Sequence, residues 1–221
     1  GKPETLAWKA AVEAGSLIGA RIVTAGSLVD GDPPIWAGMG APVMTDPAAA
    51  DAFVRGQARA GYDFVKSYSR LEPPVFSALL AAGRKYDLEI SGHVPQDVPL
   101  LEAIDGGMRT SEHLIGVLDA VAADQSLPNP SLSPYDERAR DLVIALGKGE
   151  VPVEGFIDAA RVAAVAERAR EKGHWFVATT RVMRNFSTNP VPYIDGMERF
   201  MGPMEKGMLP LVKAGTLGKV L

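Results

Sequence analysis

The feature that most constrains the fold of this chain is a repeated alternation of short apolar strands with helices. Segments such as "YDFVKSY" and "LEISGHV" are rich in strand-forming residues, and each precedes a stretch of helical periodicity, such as "PPVFSALLAAGRKYD". Strand and helix alternate about five times with short connections. This order is typical of βαβ units and therefore predicts a parallel α/β sheet.

The predicted elements follow the chain in a regular order. The predicted strands are "ARIVTAG" (20–26), "YDFVKSY" (62–68), "LEISGHV" (88–94), "RTSEHLI" (109–115) and "HWFVATTRV" (174–182), and the clearest helices are 4–15, 46–61, 73–87, 98–107 and 154–173. A closed (β/α)8 barrel has eight strands and about 250 residues. Five strands therefore fit either a smaller open sheet or a length of barrel. Because no linker interrupts the pattern, we predict one domain over residues 1–221.

Composition excludes several classes of function. The chain has 221 residues, of which 47% are hydrophobic and 23% charged, with a net charge of −4. This composition predicts a soluble globular protein, and no stripe of lysine or arginine suggests binding to nucleic acid. No apolar run approaches the ~20 residues of a membrane-spanning helix, and no signal peptide is visible. The compartment stays open between cytoplasm, periplasm and the exterior. With no cysteine, a metal site would use histidine, carboxylate or a rarer ligand.

Three side chains that can take part in catalysis or metal binding lie toward the ends of consecutive predicted strands. Lys66 lies in "YDFVKSY", His93 ends "LEISGHV" 27 residues later, and His113 ends "RTSEHLI" after 20 more. Each spacing is one βα unit, and the carboxyl ends of parallel strands open on one face, where barrel enzymes collect their catalytic groups. We therefore predict that these three side chains converge.

Lys66 also poses a problem of charge. It lies within a predicted buried strand, where an ammonium group must be paired, neutralised or modified. Strand alternation places Tyr68 on the same side as Lys66, where its hydroxyl can donate to a substrate. Each residue has an ordinary alternative: a histidine held in a structural hydrogen bond, a lysine whose end reaches solvent, or a core tyrosine.

Two further predictions concern residues outside this trio. His174 begins its predicted strand and so belongs at the opposite, stability face of such a fold; we predict that it is not a ligand. The loop after the first predicted strand contains Asp30 and Trp36, and we expect it at the same mouth as Lys66. Trp36 can wall a substrate pocket there, or simply pack.

Three motifs together resemble the metal-dependent amidohydrolase superfamily. "AGYDFVKSY", "LEISGHVP" and "AIDGGMRTSEHLIGV" are similar to the fourth, fifth and sixth barrel strands of the branch with imidazolonepropionase-like proteins and Xaa-Pro or Xaa-Arg dipeptidases. "ARIVTAG" resembles the third strand and "HWFVATT" the seventh. The resemblance covers about residues 1–183 and implies a TIM-type (β/α)8 barrel, of which strands three to seven are present.

The resemblance also implies a binuclear metal centre. In the family, the fourth-strand lysine is carbamylated and bridges two divalent metal ions, usually zinc, which maps to Lys66. The fifth- and sixth-strand histidines hold the more exposed ion, which maps to His93 and His113. A carbamate would answer the problem of the buried lysine, since it turns a cation into an anionic ligand. Nitrogen and oxygen ligands suit zinc.

The sequence departs from the family at two places. The family's first strand carries a His-x-His pair and its eighth an aspartate, typically in a "GTD" context; this chain has no His-x-His, and "AGTLGKVL" stands where the helix before the eighth strand would lie. Strands one, two and eight are therefore not in this sequence. We expect a longer parent polypeptide, or another chain of a homo-oligomer, to complete the barrel.

The reaction implied by the resemblance is hydrolysis of an amide or peptide-like C–N bond in a small molecule by a metal-activated hydroxide. A dipeptide or an N-acyl amino acid is the favoured substrate class. The rival interpretation is a non-catalytic, incomplete barrel that binds a ligand or partner. A third is another βα-type hydrolase or lyase with one metal ion and an unmodified lysine.

Overall fold

Four short parallel strands form one sheet in the order of the sequence. In the computed structural model, which describes residues 3–36, 41–124, 150 and 152–179, the strands are β1 (Phe64–Ser67), β2 (Glu89–Gly92), β3 (Thr110–Glu112) and β4 (Trp175–Val177). Each pairs in parallel with the next. The parallel α/β class predicted from the alternation is confirmed.

Most of the helices overlap the predicted ones, but the predicted helix 154–173 is divided, since one short helix ends at Phe156 and the next begins at Ala159. The helices are α1 (Pro3–Glu13), α2 (Ala49–Ala60), α3 (Pro73–Tyr86), α4 (Leu100–Asp105), α5 (Val117–Val121), α6 (Val153–Phe156) and α7 (Ala159–Lys172). Local signals fix their ends. The carboxylate of Asp158 accepts the N–H groups of Ala160 and Arg161 at the start of α7, and Gly173 ends that helix at a φ of 64°.

The start of α2 differs from the prediction. The predicted helix 46–61 starts at residue 46, but the helix begins at Ala49. Asp46 instead stabilises the preceding turn: its carboxylate accepts the N–H of Ala48 at 2.9 Å, and its carbonyl accepts the N–H of Ala49 at 3.0 Å. The other end was predicted correctly, since Gly61 follows the helix at a φ of 88°.

The predicted strand "ARIVTAG" is wrong as a strand. It runs beside β1 but forms one isolated parallel bridge, Ala25 with Phe64, and the next bridge lies further on at Val29 with Ser67. The reason is that a side chain competes for its backbone: Asp63 accepts the N–H of Thr24 at 2.8 Å. Gly26 then passes against the side chain of Gln57, where a Cβ would clash. The chain is therefore tethered to β1 without forming a continuous ladder.

The two faces of the sheet differ. One face packs under the helices, with Val65 and Ile90 buried, and Gly83 of α3 lets that helix approach Ile90 closely. The other face carries Phe64 and Lys66, both half-buried, and the exposed side chains of Trp175 and Val177. Parallel sheets are usually covered on both sides. The second face is the one that the predicted barrel would enclose.

The chain divides into two compact units, residues 1–177 and 178–221, and all elements above belong to the first. In the second unit only residues 178 and 179 are described. The predicted single domain stays a prediction. Residues 180–182 of the last predicted strand and the segment "AGTLGKVL" lie outside the described residues. Among the helices in the described ranges, none has the length and apolar character needed to cross a membrane.

Candidate metal centre

Three neighbouring strands bring the predicted site residues to one edge of the sheet. Lys66 lies in β1, His93 directly follows β2, and His113 directly follows β3. The ladder continues past the strand ends, because His93 donates its N–H to Ser67 (3.1 Å) and His113 donates to Val177 (2.8 Å). The predicted convergence of Lys66, His93 and His113 is therefore present at the carboxyl ends of adjacent parallel strands.

Glycine at position 92 is required for the placement of His93. Gly92 has a φ of 124°, and a Cβ on it would lie 2.5 Å from the carbonyl oxygen of Ser67. Any other residue would push β2 away from β1 or change the backbone angle. The "GH" pair of the sequence thus has a backbone reason: the glycine brings the histidine close against the neighbouring strand.

The chain turns at His113 through an uncommon conformation. His113 and Leu114 both have positive φ values, 63° and 58°. Non-glycine residues in this region cost roughly 1–3 kcal/mol each and tend to occur at functional sites. The bond from His113 to β4 and a bond from Ile115 to the carbonyl of Glu112 at 3.3 Å hold the turn.

Glu112 is the partner of Lys66. The lysine Nζ lies 2.6 Å from Glu112 Oε2, and the same oxygen lies 3.6 Å from His113 Nε2. The rings of His93 and His113 meet edge to face with centroids 5.0 Å apart. His93, Glu112 and His113 each offer one ligand atom, and these atoms lie within 4.8 Å of one another. The site therefore gathers two imidazoles, one carboxylate and one amine.

Both imidazoles are held in their neutral form. Burial lowers the pKa of His93 to about 3, and electrostatic interactions with His113 and Lys66 add to the effect. Burial also lowers the pKa of His113, and Lys66 contributes, while the carboxylate of Glu112 opposes the shift. The contact of His113 with Glu112 is therefore not an ion pair near neutral pH. Neutral imidazole is the form that coordinates a metal.

Ser69 orients His93. The buried hydroxyl of Ser69 lies 2.8 Å from Nδ1 of His93, so coordination would fall to Nε2. Metal-binding histidines almost always use their second nitrogen in this way, because the bond fixes the ring and its tautomer. Ser69 was not among the predicted site residues, and its only signal in the sequence is a position three residues after Lys66.

Tyr68 and Trp36 border the same place. The Tyr68 ring stacks on His93 with centroids 4.0 Å apart and an interplanar angle of 24°. The indole N–H of Trp36 donates to the Tyr68 hydroxyl. These contacts place Tyr68 and Trp36 beside His93. A catalytic role for Tyr68 stays a prediction.

His174 occupies a different place. Its Nδ1 lies 2.8 Å from the carbonyl oxygen of Met108, and its Nε2 lies 3.0 Å from the hydroxyl of Ser111. Both ring nitrogens are thus used in hydrogen bonds, at the residue that precedes β4. This geometry agrees with the predicted structural role.

Glu112 is the main functional residue that sequence reasoning missed. It stands directly before His113 in "SEHL", and the parallel register puts Glu112 opposite Val177, on the face shared with Lys66. Alternation within "RTSEHLI" already placed Glu112 and Thr110 on one side of the strand. Which side faces Lys66 depends on the register between strands, which one strand's sequence does not specify.

These residues fit a divalent metal ion. Two neutral imidazoles and a carboxylate are ligands that zinc accepts, and His93 carries the supporting hydrogen bond typical of a ligand. Lys66 beside Glu112 fits in either of two forms. As an ammonium it pairs with the carboxylate; as a carbamate it would repel the carboxylate unless a cation lay between them. The donor set therefore suits a metal centre in both forms.

No family model matches this sequence, and no curated protein sequence matches it. Solved structures do. The bottromycin amidohydrolase superposes with a TM-score of 0.62 at 22% identity, over 98% of this chain and 43% of that one. The ochratoxinase of A. niger superposes with a TM-score of 0.51 at 16% identity, over 96% of this chain and 44% of that one.

Two consequences follow from these comparisons. The chain spans less than half the length of either protein. At these identities the likeness concerns the fold alone. This chain therefore shares a parallel α/β fold with these two solved structures.

Proposed function

We propose that this chain is the central part of a metal-dependent hydrolase that cleaves an amide or peptide-like C–N bond of a small molecule. One observation carries the proposal: the ligand atoms of His93, Glu112 and His113 lie within 4.8 Å of one another, with Lys66 paired to Glu112. The group stands at the carboxyl ends of adjacent parallel strands, where barrel enzymes place their chemistry. A similar solved structure is named an amidohydrolase, which supports the reaction class.

Each residue has a distinct task in this proposal. His93 and His113 hold the metal through neutral nitrogens, and Ser69 keeps the His93 ring in position. Lys66, as carbamate, would add an anionic oxygen ligand. When bound, a divalent metal lowers the pKa of water and polarises a carbonyl oxygen. Tyr68 stands beside His93 and can donate its hydroxyl hydrogen to a substrate oxygen.

The favoured substrate class is a dipeptide or an N-acyl amino acid. The support is the resemblance of the three strand motifs to the dipeptidase branch. A hydroxyl donor at Tyr68 would suit the carbonyl oxygen of such a substrate.

The alternative with one metal ion and an unmodified lysine has its own support. Lys66 Nζ lies 2.6 Å from Glu112 Oε2, so an unmodified Lys66 already has an anionic partner. In this form His93, Glu112 and His113 would hold a single ion. The two forms predict different metal counts and different masses.

Native mass spectrometry of the complete protein, with metal analysis on the same sample, tests the proposal. We expect two divalent ions per chain and the added mass of one carbon dioxide, lost on denaturation. One ion and no added mass would favour the single-metal form. A protein that binds no metal when supplied with zinc would contradict both forms and leave the non-catalytic barrel.

Hydrolysis is tested separately with a panel of dipeptides and N-acyl amino acids. His113→Asn in the complete protein is expected to abolish turnover and remove bound metal. His174→Asn is the control, because His174 is a histidine that lies apart from the donor set, with both ring nitrogens in hydrogen bonds. If His113→Asn kept full activity, the assignment of this centre would be wrong.

A further inference from the structure

A buried carboxylate holds the loop that carries Trp36. Asp30 is fully buried, and its side chain accepts three backbone N–H groups. Oδ1 accepts from Gly31 at 2.9 Å and from Arg70 at 2.7 Å. Oδ2 accepts from Ile35 at 2.9 Å. Charge-assisted bonds of this kind are about twice as strong as neutral ones.

These three bonds join two separate parts of the chain. Gly31 and Ile35 belong to the loop that leads to Trp36, while Arg70 lies two residues after Tyr68. Arg70 also donates from its guanidinium to the carbonyl of Pro33 at 2.6 Å. Asp30 thus fixes the loop against the segment that continues from β1.

The approach of the two segments is close. A Cβ at position 31 would lie 1.7 Å from the carbonyl oxygen of Arg70, so only glycine permits it. The backbone of Asp30 is tied as well: its N–H donates to Pro42 at 3.0 Å, and its carbonyl accepts from Met44 at 2.9 Å. The loop is therefore anchored at Asp30 on both its side chain and its main chain.

A series of contacts connects this loop to the proposed metal centre. Ile35 is the residue before Trp36, Trp36 donates its indole N–H to Tyr68, and Tyr68 stacks on His93. Because the phenol oxygen accepts this bond, its hydroxyl hydrogen is directed elsewhere and becomes a stronger donor.

We infer that Asp30 and Trp36 are positioning residues of the proposed active site, which set the Tyr68 hydroxyl beside His93 through the loop 30–36. The catalytic meaning of this inference rests on the proposed function. The position of the Tyr68 hydroxyl can be measured without any catalytic assay. The side-chain hydrogen bonds of Asp30 and Trp36 described above do not reach the donor set. Both residues act through Tyr68.

The test is the resonance of the Trp36 indole N–H in the complete protein labelled with 15N-tryptophan. Trp36→Phe assigns the signal, and Tyr68→Phe shows its position without the phenol partner. Asp30→Asn replaces Oδ2 or Oδ1 by an amide nitrogen, which cannot accept, so at least one backbone bond is lost. We expect Asp30→Asn to move the resonance toward its position in Tyr68→Phe.

Asp46→Asn is the matched control, because Asp46 is exposed and accepts a backbone N–H at the turn before α2. It is expected to leave the Trp36 resonance in place. A signal that stays in place in Asp30→Asn would overturn the role of Asp30. A signal that does not respond to Tyr68→Phe would overturn the contact between Trp36 and Tyr68 itself. This second comparison can be made even if Asp30→Asn does not fold.

Kinetics separate this inference from the proposed function. With any hydrolysed member of the substrate panel, Asp30→Asn and Trp36→Phe are expected to lower kcat/KM by roughly three- to tenfold, the range of one hydrogen bond, with unchanged metal content. Reduced metal content in either variant would contradict a pure positioning role. If the wild-type protein hydrolyses nothing, the proposed function fails, while the indole measurement still decides the positioning.

Discussion

At the scale of single residues, the hydroxyl of Ser69 has the most specific consequence. Its bond to Nδ1 of His93 fixes which nitrogen of a buried, neutral ring is available for coordination. Removal of such a supporting partner typically lowers metal affinity 10–100-fold. The chain contains a second serine–histidine pair, Ser111 with His174. His174 is not one of the three metal-ligand candidates, so this pair can serve as a comparison.

We therefore predict that Ser69→Ala in the complete protein lowers zinc affinity by roughly 10–100-fold. A competition titration against a chromophoric chelator measures it. Ser111→Ala is the control, since it removes the same kind of bond and is expected to lower the free energy of unfolding without changing zinc affinity. Equal affinities in Ser69→Ala and wild type would show that the hydroxyl does not orient a ligand.

The role of Lys66 gives the second prediction at this scale. If a carbamate bridges two ions, Lys66→Ala abolishes binuclear binding, and Lys66→Arg fails equally, because guanidinium retains the positive charge and does not form the carbamate. Both variants are expected to bind fewer than two ions per chain by elemental analysis. Hydrolysis retained by Lys66→Ala would be incompatible with the carbamate, and two ions in Lys66→Arg would be as well.

At the scale of elements, Gly92 determines how β2 lies against β1. A side chain there would meet the Ser67 carbonyl at a φ that L residues rarely adopt. We predict that Gly92→Ala lowers the free energy of unfolding by about 1–3 kcal/mol and weakens zinc binding, because His93 is the next residue. Urea unfolding measures the first effect and chelator competition the second.

Gly56 offers a matched control for that substitution. It lies inside α2, and a Cβ there would meet nothing within 4 Å. Alanine is the better helix former, so Gly56→Ala is expected to raise the free energy of unfolding by about 0.5–1 kcal/mol. If Gly92→Ala were as stable as Gly56→Ala, the close approach of β2 to β1 would not matter.

Asp63 links α1 and the segment around Thr24 to the strand β1. Its carboxylate lies 2.6 Å from Lys9 Nζ and accepts the N–H of Thr24. Burial raises the pKa of Asp63, but the bonds from Lys9 and Thr24 outweigh burial, so the pKa lies below its ordinary value of 3.8. A lowered carboxyl pKa adds stability above pH 3.8, and this stability is lost as the pH falls through the folded-state value.

We predict that Asp63→Asn lowers the free energy of unfolding at pH 7 by roughly 1–2 kcal/mol, and that the difference from wild type shrinks on acidification below about pH 4. Urea titrations at several pH values measure it. Asp51→Asn is the control, since the pair of Asp51 with Lys85 is exposed and screened by solvent. A pH-independent difference between Asp63→Asn and wild type would contradict the ion-pair origin.

At the scale of the whole molecule, the barrel-facing side of the sheet is the notable surface. Trp175 is 65% exposed and Val177 43% exposed on that side, and Phe64 is half-buried there. Among the described residues, the sheet begins with β1 and ends with β4, so β4 leaves an edge that can pair with another strand. Covering such a surface contributes roughly 25 cal/mol per Å² of apolar area.

We propose that further strands, from the same polypeptide or from a second copy, cover this face. The 221-residue chain by itself is then expected to self-associate, which sedimentation velocity over a range of concentrations measures. Trp175→Gln should reduce the association, whereas Trp8→Gln should not, because Trp8 is similarly exposed but lies on α1. A stable, active 221-residue monomer would contradict this proposal.

The sequence by itself determined the class of fold and the meeting of Lys66, His93 and His113. Both follow from local and periodic signals: alternation of strand and helix predicts a parallel sheet, and one βα unit between residues brings strand ends to a common edge. Glycine also marked the carboxyl ends of α2 and α7, at Gly61 and Gly173, because such an end depends on a few neighbouring residues.

The tertiary structure decided which partners these residues have. Glu112 lies 46 positions from Lys66, and its contact depends on the register of three strands. Ser69 reaches His93 from a neighbouring strand end, and "ARIVTAG" failed as a strand because the Asp63 side chain bonds its backbone. Such contacts join residues far apart in the sequence through side-chain rotamers and strand register, and a local pattern contains no information on either.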